Sequence, residues 1–261
     1  MKTFAGLAPF LFLLFLSSCE TFQKEEEVVC LPTNMTATII QGIESEKIIA
    51  DFHYEEGTRM LDHITWSNHQ THIFEYDDAE RLQVVRKVLV KEKVQNELWF
   101  EYDGELVERI VLVKKNLDYT FLEPIDSSYA GHIGFEYEGN EIIREERYEV
   151  PGGGGSEVLV RRVEYDRDEA GNITLATSYH PDGSSSTVIY TYDTSKHPLS
   201  GLRYYFSGES YVNNMLTRSE SAGNMDYTYD IDLNAQGYAT IIYEKLGSAN
   251  TRITRYSYMC N

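Results

Sequence analysis

Cysteine is nearly missing from this chain, proline and tryptophan are scarce, and basic residues fall far short of acids. Its 261 residues include three cysteines, two tryptophans, six prolines and 23 Lys+Arg against 42 Asp+Glu, a formal net charge of -19. Each shortage excludes something. Cysteines this few, with no short paired spacing, rule out a zinc ribbon, a Cys-x-x-Cys redox site and a disulfide-dense scaffold. The acid excess repels phosphate backbones and anionic headgroups, so nucleic acid is not a partner. The apolar run from Phe4 to Leu16 is too short to cross a bilayer as a helix, and no other segment is apolar enough to do so. No later stretch carries a helical stripe. A Gly-x-Ser-x-Gly elbow, a glycine-rich phosphate loop and a Cys-His arrangement are all missing, so no nucleophile can be named and no cofactor is implied.

At the start, Lys2 precedes the apolar run, which ends in Leu16-Ser17-Ser18-Cys19. Residues 1–18 read as a secretion signal. The end of that signal resembles the lipobox of bacterial lipoproteins, which implies cleavage before Cys19 and acylation of Cys19. Residues 19–33 then form an acidic tether. Within it, Lys24-Glu25-Glu26-Glu27 is similar to the signal that sends lipoproteins of Bacteroidetes to the outer face of the outer membrane. The implied address is a surface-exposed outer-membrane lipoprotein, with the periplasmic face as the alternative, and the implied partner is that membrane through the lipid.

From 34 to 261 one phrase recurs: an aromatic residue, a spacer, a tyrosine and an acid. It appears as His53-Tyr54-Glu55, Phe74-Glu75-Tyr76-Asp77, Phe100-Glu101-Tyr102-Asp103, Phe135-Glu136-Tyr137-Glu138, Val163-Glu164-Tyr165-Asp166, Tyr190-Thr191-Tyr192-Asp193 and Tyr227-Thr228-Tyr229-Asp230, closing with Tyr256-Ser257-Tyr258. Alternation in steps of two followed by turn residues reads as the end of a strand entering a hairpin. The repeat, with 22 to 37 residues between successive phrase tyrosines, marks stacked copies of a two-strand unit, about 15 or 16 short strands in all. The fold class is therefore all-β: an antiparallel meander curled into a barrel-like or strongly curved single sheet, soluble rather than membrane-spanning. The run Pro151 to Ser156 replaces a hairpin loop inside one unit, so 34–261 is one domain. The phrase aromatics lie two apart and share a face, which predicts burial of Phe74, Tyr76, Phe100, Tyr102, Phe135, Tyr137, Tyr165, Tyr192 and Tyr229, with Glu75, Glu101, Glu136 and Glu164 turned outward.

Phrases such as Tyr165-Asp166-Arg167-Asp168-Glu169-Ala170-Gly171-Asn172-Ile173 resemble the tyrosine-aspartate repeats of bacterial Rhs and wall-associated proteins. More closely, the chain from Thr36 to Asn261 resembles Bacteroidetes lipoproteins of unknown function whose β-rich domain is porin-like. The resemblance implies a fold and a cell-surface setting, and no activity.

Candidate sites are few. Cys30 and Cys260 stand just before the first strand and just after the last, so a sheet that curls until its edges meet makes them a disulfide candidate. Asp230, Asp232 and Asn234 alternate like calcium ligands, but Ala235 and Ile241 occupy the positions where an EF-hand needs glycine and glutamate. A solvated turn is the simpler reading. His63, His69 and His72 cluster around Trp66, yet strand or turn spacing does not converge them on a metal. The two longest inter-tyrosine spacings arise at Asn116 to His132, with Tyr119, Phe121 and Tyr129, and at Ser207 to Asn224, with Tyr211, Asn213 and Asn214. Both inserts are expected in the second hairpin of their units, and hence on one rim, where long loops would bind a glycan, peptide or protein without catalysis. The alternative is a carboxylate-dependent hydrolase of extracellular polymers.

Overall fold

A computed structural model describes residues 29–89, 94–117, 124–151, 155–199 and 212–260. Among these, every regular element is a strand: β1 (Cys30–Gln41), β2 (Glu44–Tyr54), β3 (Leu61–Trp66), β4 (Gln70–Tyr76), β5 (Leu82–Leu89), β6 (Val94–Asp103), β7 (Leu106–Leu117), β8 (Pro124–Glu138), β9 (Glu141–Glu149), β10 (Val158–Arg167), β11 (Ile173–Tyr179), β12 (Ser185–Lys196), β13 (Asn213–Glu220), β14 (Met225–Leu233), β15 (Ala239–Leu246) and β16 (Ala249–Cys260). Each pairs antiparallel with its sequence neighbours, and β1 closes on β16, giving a closed sixteen-stranded barrel. Closure removes the two unpaired edges that an open meander would expose. β1 begins at Cys30, ahead of the expected boundary at 34, and the closing ladder runs from Cys30↔Cys260 to Ile39↔Arg252. At its first rung a disulfide joins Cys30 to Cys260, with Cα atoms 4.0 Å apart.

The recurring phrase has a mechanical meaning. In five copies a bulge falls immediately before the tyrosine, at His53/Tyr54, Glu75/Tyr76, Glu101/Tyr102, Glu136/Tyr137 and Thr191/Tyr192. Such a bulge adds twist and re-aims the side chain. The tyrosine hydroxyl then donates to a carbonyl near the start of the preceding strand: Tyr54 to Pro32 at 2.9 Å, Tyr76 to Leu61 at 3.0 Å, Tyr102 to Leu82 at 2.8 Å, Tyr137 to Val107 at 2.7 Å and Tyr192 to Ile173 at 2.7 Å. Tyr258 reaches Ala239 in the same way. Tyr165 and Tyr229 differ, bonding the carboxylates of Glu145 and Glu244. An aspartate at the head of the turn shapes it, the phrase acid itself at Asp77 and the residue two beyond the phrase acid at Asp168. Asp77 Oδ1 accepts from the N–H groups of Ala79 and Arg81, and Asp168 Oδ1 from those of Ala170 and Asn172. The turn's fourth residue is left-handed: Gly171 has φ 87, Gly237 φ 81, and Glu80 φ 59 in the same place without glycine's freedom.

The aromatic side of the sheet faces the barrel interior. Phe52, Phe74, Phe100, Ile64, Val85 and Ile110 form one buried cluster, and Val163, Tyr165, Ile173 and Tyr190 belong to a second. The remaining phrase tyrosines and Phe135 are half-buried. On the other side Glu101 and Glu136 are exposed, while Glu75 and Glu164 are partly covered by the arginines they pair with, Arg86 for the first and Arg144 and Arg162 for the second.

The expected common rim is corrected by strand parity. The first insert is largely strand: β7 extends to Leu117 and β8 begins at Pro124, leaving 118–123 as the connection. The second does not lie in the β13–β14 hairpin, whose turn is the short Ser221 to Asn224. Its extra residues follow Tyr192-Asp193 instead, between Lys196 and Asn213. In a meander, connections leaving odd and even strands lie at opposite ends. The β7–β8 and β12–β13 connections therefore belong to opposite rims. The chain leaving β12 also turns inward: Pro198 is buried and Leu199 packs on the first core cluster.

Candidate functional site

Strands β6 to β9 form an outward-facing depression of about 650 Å³. Its geometry follows from one row of directly paired residues, Glu101, Arg109, Gly134, Glu146 and Arg162, one per strand. Four of the five raise long side chains, and Gly134 raises none. A glycine inside a strand therefore opens a floor between tall neighbours. A Cβ placed on Gly134 would meet nothing within 4 Å, so this floor is free space.

Ion pairs fix the walls. Arg109 donates through Nε and Nη2 to Glu101 Oε2, at 2.9 and 2.7 Å. Across the floor Arg144 donates to Glu136, and its second amino group lies 3.6 Å from Glu164. These pairs are exposed, so their individual contribution to stability is small, but each restrains a long side chain in one place. A third wall is aromatic: the His132 and Tyr148 rings stack at 4.7 Å and 14°, and the Tyr148 hydroxyl donates to Glu146 at 2.8 Å. Behind it, Tyr129 donates to Glu157, whose same oxygen lies 2.8 Å from His132 Nδ1. Hydrogen bonds from Tyr129 and then His132 hold the Glu157 carboxyl below the usual range. Burial and then the Glu157 hydrogen bond push the Tyr129 phenol up to about 12.

The remaining sequence candidates are dispersed. Cys19, Tyr119, Phe121 and Tyr211 lie outside the described residues. Asn213 and Asn214 are structural. Asn214 is fully buried, with its N–H and Nδ2 bonded to the Asp193 carboxylate. Asn213 Oδ1 accepts from Asn172 Nδ2 at 2.9 Å, while Asn172 Oδ1 accepts from the N–H groups of Val212 and Asn213. These amides tie the entry of β13 to the β10–β11 turn. Asp230 pairs with Lys245, and Asn234 Oδ1 is occupied by the N–H groups of Gln236 and Tyr238 as a turn acceptor. The three oxygens are thus divided between a strand face and a turn. Among the histidines, His63 stacks on His53 at 4.1 Å and His69 sits in a turn. His72 Nδ1 accepts from Trp66 Nε1 at 3.2 Å, and burial followed by the Lys87 charge lowers His72 to about 4. Among the described residues no group of three or more His, Cys, Asp or Glu could hold a metal ion.

Gly134, Arg109, Arg144, His132 and Tyr148 were not singled out from the sequence. The available signal was the pair Gly131 and Gly134 within an otherwise strand-like stretch. Gly131 has φ 138, and a Cβ there would come 2.0 Å from the Tyr148 carbonyl, so β8 and β9 pack too closely for any other residue.

Neither a protein-family model nor a curated protein matches the chain. Among solved structures, a porin-like protein from Bacteroides vulgatus is similar over 88% of this chain and 99% of its own, at 11% identity and a TM-score of 0.55. A porin-like protein from Bacteroides uniformis aligns over 87% and 95% at 10% identity, with a TM-score of 0.36. A chain of the TcdB2-TccC3-Cdc42 structure is covered over 13% of its length by 85% of this one, at 12% identity and a TM-score of 0.37. The first likeness establishes the fold class, a porin-like β-barrel. On that fold this chain carries an outer face with several Arg–Glu ion pairs and a groove floored by glycine.

Proposed function

We propose that the chain is an outer-membrane lipoprotein whose barrel stands outside the bilayer and binds a saccharide, without cleaving it, in the groove over Gly134. The observation that carries the ligand class is the arrangement of Arg109–Glu101 and Arg144–Glu136 on either side of an empty floor. Each pair presents N–H donors beside carboxylate acceptors, a pattern suited to sugar hydroxyls, which both donate and accept. The His132–Tyr148 stack adds an apolar wall. Four acids, Glu101, Glu108, Glu136 and Glu146, against two arginines favour a neutral sugar over an anionic one.

The outer face supports a position outside the lipid. Arg86, Arg109, Arg144 and Arg162 project from it, and each would cost about 2 to 4 kcal/mol at a bilayer midplane. Attachment would come instead from an acylated Cys19, with 19–29 as tether and Lys24 to Glu27 directing surface display.

A glycan array on the purified protein, followed by a turnover assay on every hit, tests the reading. Binding without bond cleavage is expected, and cleavage abolished by one carboxylate substitution would replace it with the hydrolase. Separately, Cys19→Ala should move the protein to the soluble fraction, and protease added to intact cells should digest the wild type. A protected wild type would place it on the periplasmic face.

A further inference from the structure

Inside the barrel, a second and smaller cavity of about 240 Å³ lies between His197 and strands β13 to β16. It is separate from the outer groove, and its reading does not depend on the saccharide proposal. Its polar groups are unequally engaged. Glu244 is buried and accepts from the Tyr229 hydroxyl at 3.2 Å and from Thr251 Oγ1 at 2.9 Å. Arg218 lies over the Tyr227 ring at 4.2 Å, with Glu220 beside it at 2.9 Å. Two donors are left over. Arg252, facing Glu244 across the β15–β16 ladder, has no ion-pair partner among the described residues and is reached by solvent. The Tyr256 hydroxyl likewise has no hydrogen-bond partner among them.

The geometry points to this cavity as a binding site for a small carboxylic acid that carries a hydroxyl or amino group beside its carboxylate. Arg252 and Tyr256 supply the donors a carboxylate needs, and a carboxylate pairs well with a guanidinium. Glu244 retains lone pairs for the neighbouring hydroxyl or ammonium hydrogen. Met215 and Ile242 offer an apolar wall to the carbon skeleton. A doubly charged phosphate or sulfate fits less well, because Glu244 stands opposite and repels the second charge. The volume is below the range of drug-sized sites, about 300 to 1,000 Å³, which limits the ligand to the size of an amino acid, a 2-hydroxy acid or a single uronic acid. His197 adds no charge near neutral pH, because burial, partly opposed by Asp193, lowers it to about 4.

Calorimetric titration of the full mature chain with alanine, lactate and glucuronate, and with the amide of each, tests the assignment and separates the three sources. At least one acid should bind and its amide should not. Arg252→Gln should then weaken that acid by about tenfold, the scale of losing one hydrogen bond to a charged group, and Tyr256→Phe by less. Both variants keep the barrel interior filled, and circular dichroism confirms that each is folded. Failure of all three acids, equal binding of an amide, or unchanged binding by folded Arg252→Gln would overturn the proposal.

Discussion

Replacing Tyr102 with phenylalanine removes one oxygen and keeps the ring. The hydroxyl donates to the Leu82 carbonyl at 2.8 Å, at the first residue of β5, and Arg81 covers the same ring at 4.5 Å. No cavity forms, so the cost is that of a lost hydrogen bond, about 1 kcal/mol, rising towards 3 if the partly covered carbonyl finds no water. For a domain of this size the melting temperature should fall by roughly 2 to 4 °C per kcal/mol. Tyr227→Phe is the internal control, because among the described residues its hydroxyl reaches only the Met225 sulfur at 3.4 Å, a weak acceptor. Urea unfolding followed by circular dichroism should show a lower midpoint for Tyr102→Phe at unchanged slope, and almost no shift for Tyr227→Phe. If the two variants behave alike, the repeated tyrosine is only core filler and the staple argument fails.

Three further outcomes follow from the same structure. Reducing the Cys30–Cys260 bridge, which spans a sequence separation of 230, should lower stability by up to about 5 kcal/mol, measured as the difference in urea midpoint with and without reductant. Glu80→Gly should raise stability by up to about 1 kcal/mol, since glycine takes the left-handed φ of 59 without strain, and a loss there would refute the turn assignment. His72 is lowered to about 4 in the folded state by burial and then by Lys87. As the pH falls below the ordinary value near 6.5, the unfolded chain takes up a proton that the folded chain refuses, so stability is complete above that value and declines towards pH 4. His72→Gln should flatten that acid limb of the stability profile.

The strand count, the inward aromatic face and the meeting of the chain ends were legible because the phrase repeats with a two-residue alternation. Tyrosine spacing could not say on which side of a turn the extra residues fall. It missed that β12 runs past Tyr192 to Lys196, and that error placed two inserts on one rim when they lie on opposite ones. The stretch Ser127 to His132 falls in the rim insert that the long Tyr102 to Tyr137 spacing predicts. In the sheet Gly131 is required by close strand approach and Gly134 makes the groove floor. The groove itself was invisible in one dimension. Glu101, Arg109, Gly134 and Glu146 become neighbours only through the registers of β6 to β9, and register was not assigned from sequence.

Gly134 provides the most direct test of the central claim that the outer groove binds saccharide. Its backbone is not left-handed and a side chain there meets open space, so Gly134→Leu should fold as the wild type does while filling the floor. Calorimetric titration of the best array saccharide into both proteins should show binding to the wild type and a loss of at least about tenfold, or roughly 1.4 kcal/mol, in Gly134→Leu at an unchanged urea midpoint. Equal affinity for the two proteins, or no saccharide bound by the wild type, would contradict the claim.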